Sequence, residues 1–189
     1  MKNTYLTGYL PLFSILLFSL SFSVYGVGVL TDLFKGIGIY AGMREFLSEL
    51  ELKLFVLILL MIICFMILAA LKLIAETINE VSLLFFSRDK EGEALTRVRA
   101  GSLIYFFGSL ATIVSLQSIV GLLIIFALTS IVYFMYFVIK VSSTLSAGGT
   151  IGVILFEIVT WSALLSAVFY VVLSLYNGLL GSLPILEQI

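Results

Sequence analysis

The chain has 189 residues, of which 62% are hydrophobic and 11% charged, with a net charge of −1. Soluble domains carry about a quarter charged residues, so a mean hydropathy of +1.26 excludes a water-soluble globule and leaves an all-α, polytopic integral membrane bundle. The balanced charge gives no reason to expect a nucleic-acid partner. With no histidine and a single cysteine, Cys64, the chain lacks the commonest general base and any thiolate cluster.

A bilayer core of about 30 Å takes roughly 20 apolar residues per helix. The first span is read as residues 9–30. Lys2 precedes it, and Pro11 falls in its first turn, where a missing N–H costs little. The run is longer than a signal peptide's apolar core and has no clear cleavage site, so it is expected to remain as an anchor. Residues 31–53 form an outer loop. In it Met43, Phe46, Leu47, Leu50 and Leu54 recur at helical steps. This predicts a short amphipathic helix lying in the outer interface and running into the second span, residues 54–71. Lys53 and Lys72 bracket that span and can snorkel to the headgroups.

Residues 72–101 are read as an inner, charged helical hairpin. Lys72, Glu76 and Glu80 step by four, so the second helix continues past the bilayer. Leu83, Leu84, Phe85 and Phe86 are apolar at the membrane edge and must be buried somewhere. They are candidates for docking a partner, the plainer alternative being a solvated hairpin. Arg97 and Arg99 are placed to meet anionic lipid headgroups. Residues 102–139 hold no charge, and as one helix the stretch would reach about 57 Å, too long for one crossing. A break near Ser115–Ser118 predicts two helices, 102–117 and 120–140. The last span is 151–176. The whole chain, 1–189, is one transmembrane helical domain with five spans.

The positive-inside rule selects the orientation. With the N-terminus cytoplasmic and the C-terminus outside, the inner segments hold Lys2, Lys72, Arg88, Lys90, Arg97, Arg99 and Lys140, and the outer ones Lys35, Arg44 and Lys53. Tyr133 and Tyr136 lie near Lys140 as an interfacial belt would.

Helices in lipid associate through small residues and interhelical hydrogen bonds. Such stripes are Ser19, Ser23 and Gly26 in the first span; Gly101, Tyr105, Gly108, Thr112 and Ser115 in the third; and Thr160, Ala163, Ala167, Tyr170 and Ser174 in the fifth. The second span has few small residues and is expected at the lipid-facing periphery, with spans one, three and five closer together. Glu157 is the one ionisable group well inside a span, and an intramembrane carboxylate is a functional candidate with a partner to be named. Lys72 and Lys140 are the candidates, with Thr160 and Trp161 positioned to orient it. The alternative is a structural tie between two helices.

The opening Met1–Tyr9 (MKNTYLTGY), the run Glu51–Phe55 (ELKLF) and the stretch Leu71–Leu95 (LKLIAETINEVSLLFFSRDKEGEAL) resemble the YufK-like family of small uncharacterised bacterial membrane proteins. The resemblance covers most of the chain. It implies a polytopic helical build in the bacterial inner (cell) membrane and carries no site residues with it. The chain has no P-loop, nucleophile elbow, HExxH or dinucleotide fingerprint, so no catalytic residue, metal or cofactor is expected. The expected role is a non-enzymatic accessory or scaffold component of a membrane complex. Its partners are the lipid bilayer and either another membrane protein or further copies of the chain. The alternative is a small transporter or channel subunit using Glu157.

Overall fold

The computed structural model describes residues 4–87, 96 and 98–182, and side chains from residue 8 to residue 178 within that set. All the regular structure there is helical. The elements are α1 (Thr4–Gly36), α2 (Ile39–Phe46), α3 (Glu49–Phe86), α4 (Ser102–Ala111), α5 (Ile119–Ser142) and α6 (Ala147–Ser182), with 3-10 turns at Arg99–Gly101 and Thr112–Ser115 flanking α4. Four helices, α1, α3, α5 and α6, are long and apolar enough to cross a bilayer. The segment read as a span over 102–117 holds only ten α-helical residues between its two 3-10 turns. The chain then reverses before Ser118, which caps α5 by accepting a hydrogen bond from the Gly121 N–H at 3.2 Å.

α1 is the central element. Ser14, Ser19, Ser21, Ser23 and Thr31 on it are buried, and each hydroxyl donates to the carbonyl four residues earlier. This back-bonding satisfies polar groups that lipid cannot, and leaves small side chains for close packing. On one side Gly26 meets Leu60 of α3, where an added Cβ would stand 2.9 Å from the leucine. On another, Ser21 shares a 2.6 Å hydrogen bond with Thr112 in the turn after α4. Phe18 packs edge-on against Phe126 of α5, with centroids 5.3 Å apart.

Two expectations about packing need correcting. α3 lies along α1 and is not simply peripheral, although no residue between Leu57 and Thr77 is fully buried. α6 packs mainly on α3 and α5, and its contact with α1 is at most marginal. Abundance of small residues on α6 suggested a central place. What decides its place is instead the short α5–α6 connection, which ties the start of α6 to the end of α5.

The amphipathic helix read through residues 43–54 is broken in two. Gly38 turns the chain with φ 80°, α2 ends at Phe46, and Leu47 is extended. Ser48 then starts α3 with a capping box: its hydroxyl accepts from the Glu51 N–H, and the Glu51 carboxylate accepts from the Ser48 N–H at 2.8 Å. Two satisfied backbone donors outweigh continuation of an apolar stripe. The Ser-Glu-Leu-Glu string carried that signal. α3 runs for 38 residues, about 57 Å, so it extends well past one bilayer crossing.

Candidate functional site

The end of α3, the Arg99–Gly101 turn, the end of α5 and the start of α6 meet in one apolar cluster of Leu83, Val98, Phe137, Val141 and Val153. Two glycines make the approach of α6 possible. A Cβ on Gly152 would meet the Phe86 ring, and one on Gly149 would stand 2.9 Å from the Phe86 carbonyl oxygen. Phe86 thus sits in a notch on α6 and touches Phe156, at 6.3 Å between centroids.

One turn beyond the fully buried Val153 lies Glu157, 3% exposed and about 15 Å into α6. Its Oε1 has no hydrogen-bond partner. The Trp161 indole, one turn further on, is within hydrogen-bonding reach of the carboxyl. Tyr133 of α5 lies within electrostatic reach of both Glu157 and Glu76. It stacks at a tilt on Tyr105 of α4, centroids 5.2 Å apart, and the Tyr105 hydroxyl donates to Ser130 at 3.2 Å. A buried acid on α6 and a pair of phenols on α4 and α5 therefore lie near one another, with Tyr133 between them.

Lys72 pairs with Glu76 at 2.6 Å, and Lys140 is exposed with its ammonium 5.5 Å from the centre of the Tyr136 ring. Neither forms a salt bridge with Glu157. Thr160 is half-buried beside it. Leu83 and Phe86 are used inside the molecule, while Leu84 and Phe85 remain 78% and 68% exposed. Arg99 is exposed in its turn, and Arg97 lies outside the described residues. Among the described residues no three acidic, histidine or cysteine side chains are grouped as a metal would need. The Tyr133–Tyr105 pair and the Phe86 notch were not foreseen. The only sequence signal for the notch is the Gly149–Gly152 spacing, which puts two glycines on one helical face.

Comparison with known proteins agrees with this all-helical membrane architecture. A curated relative, the "Uncharacterized membrane protein YufK" of Bacillus subtilis (strain 168), is 40% identical over 185 residues, covering 98% of this chain and 100% of the relative. No solved structure gives a significant match. The family of unknown function DUF5366 matches residues 27–184, and with a relative matched over its full length the chain belongs to that family.

Proposed function

We propose that the protein is a non-enzymatic accessory or scaffold component of a membrane complex, in which the bundle of α1, α3, α4 and α5 holds α6 out toward a partner. The observation that carries this reading is the exposure of α6. Every residue from Ser162 to Gly178 is exposed, over about 25 Å of helix. Lipid would cover such a helix without difficulty, but Thr160, Ala163, Ala167, Tyr170 and Ser174 recur at alternating steps of three and four. That is the 3.5-residue period of a left-handed helix pair, and small side chains allow close approach in lipid. A photo-reactive side chain at position 163, 167, 170 or 174 is expected to cross-link, in native membranes, to another polypeptide or a second copy. Positions 165, 168 and 172 are expected not to. Equal labelling of both sets, or none at either, refutes the reading.

The proposed topology has five crossings, counting the short α4 segment, with the N-terminus cytoplasmic. The apolar cluster supports it, because it gathers at one end the four helix ends that this topology places inside. Single cysteines in a Cys64→Ala background are expected to be labelled at position 47 only from outside and at position 90 only from inside. The reverse pattern would show the opposite orientation.

A small transporter or channel subunit is the second reading, favoured by the buried Glu157 carboxyl, whose Oε1 has no partner. Ion conduction by the isolated chain in liposomes, lost in Glu157→Gln, would select it over the accessory role.

A further inference from the structure

Glu157 is 3% exposed, and its Oε1 meets no donor. The two lysines expected to serve it are engaged elsewhere: Lys72 with Glu76, and Lys140 over the Tyr136 ring. Arg99, on the adjoining turn, is exposed, and the other titratable groups on the described elements around Glu157 are acids and phenols: Glu76 and Glu80 on α3, Tyr105 on α4, and Tyr133 and Tyr136 on α5. None supplies a positive charge. A bare carboxylate within a membrane helix is costly, and an unpaired buried charge is strongly destabilising in a packed protein. A divalent metal ion would need several oxygen ligands, and no acidic cluster stands here among the described residues. One proton removes the charge and turns the orphan carboxyl into a group that can also donate.

We propose that Glu157 is a proton-binding site, and that the bound proton keeps the first turns of α6 seated against α3 and α5. Binding converts carboxylate and hydronium to carboxylic acid and water, and release is the reverse. The position of the site gives the proton a mechanical consequence. Glu157 stands where α6 passes from fully buried at Val153 to wholly exposed from Ser162. Once the proton leaves, the carboxylate is stabilised by moving toward water at the near end of α6, which withdraws it from the cluster. This inference does not depend on the accessory reading above.

Trp161 is the only tryptophan in the chain, and it stands one helical turn from Glu157, so emission excited where only tryptophan absorbs reports on this site alone. For the full chain in liposomes, the emission is expected to show one step between about pH 5 and pH 9, shifting to the red as the pH rises. Glu157→Gln should abolish the step and keep the low-pH spectrum throughout, while Glu76→Gln and Glu80→Gln retain it. Infrared spectra at neutral pH should show the carbonyl band of a carboxylic acid that is missing in Glu157→Gln. The proposal is overturned by any of four results: a carboxylate band for Glu157 at neutral pH, an emission step that survives Glu157→Gln, an acid band with no step across the range, or a Glu157→Gln chain that fails to fold. The last counts because the amide is the neutral isostere of the bound form.

Discussion

Replacing Gly108 with leucine is expected to cost about 3 kcal/mol, at the upper end of the overpacking range, and to open the hairpin of α4 and α5. A Cβ at position 108 would collide with Thr129 on α5, whose Oγ1, Cγ2 and Cβ all lie inside van der Waals contact. The threonine has little room to yield. It is 7% exposed, branched at Cβ, and its hydroxyl is committed to the Ile125 carbonyl at 2.7 Å. Relief therefore requires the two helix axes to separate. Separation would also strain the neighbouring Tyr105–Ser130 hydrogen bond and the Ser21–Thr112 contact to α1. Gly108→Ala should show the milder form of the same defect. Adding Thr129→Ala should recover part of that loss, because it removes the two nearest atoms and leaves only the contact with the Cβ at 129. The measurement is the temperature at which monodisperse protein in mild detergent is half lost, read for the two single variants and the double. Additive losses without recovery would mean that Gly108 and Thr129 are not in contact.

Gly152→Leu is expected to detach α6 from the body, with a loss of about 2–3 kcal/mol. Here the obstructing group is the Phe86 ring, which fills the notch left by the glycine and touches Phe156. A leucine cannot share that space. Either Phe86 is expelled from the end of α3 or α6 swings away, and both outcomes break the cluster around Val153 and Phe137. The change should appear as lowered stability, as above, and as increased access of a water-soluble quencher to Trp161. Gly148→Leu is the control. A Cβ there meets nothing within 4 Å, so it should leave both readouts near wild type. Equal effects at 148 and 152 would show that the glycines matter for helix propensity and not for the notch.

The features legible along the chain were those set by one-dimensional physics. Absence of charge over Ser102–Ile139 required a reversal, and the polar string Ser115–Ser118 with Gly121 after it located the turn, because helix length in a bilayer is bounded. Spacing of Lys72, Glu76 and Glu80 pointed to a helix continuing past the apolar core, as α3 does. Glu157 stood out as a carboxylate in an otherwise uncharged span. In contrast, the apolar periodicity of residues 43–54 masks the break at Leu47–Ser48, which the capping box in the same residues sets.

Which helix meets which was not legible, and the reason is physical. In water an apolar stripe marks the face that must be buried. In lipid every face is apolar, and partners are chosen by local shape: Gly26 against Leu60, Gly108 against Thr129, Gly152 against Phe86. Small residues recur on α1, α4 and α6 alike, so their presence on α6 could not say that its outer turns go unpacked. The same holds for charge pairing. Lys72 and Lys140 lay close enough in the sequence pattern to serve Glu157, yet Lys72 is taken by Glu76 one turn along its own helix, and Lys140 rests on Tyr136. Composition alone sufficed to establish a helical membrane protein, because so few charges cannot cover a water-facing surface. That the Glu157 Oε1 has no partner emerges only from the folded chain, because it depends on where Lys72 and Lys140 have already gone.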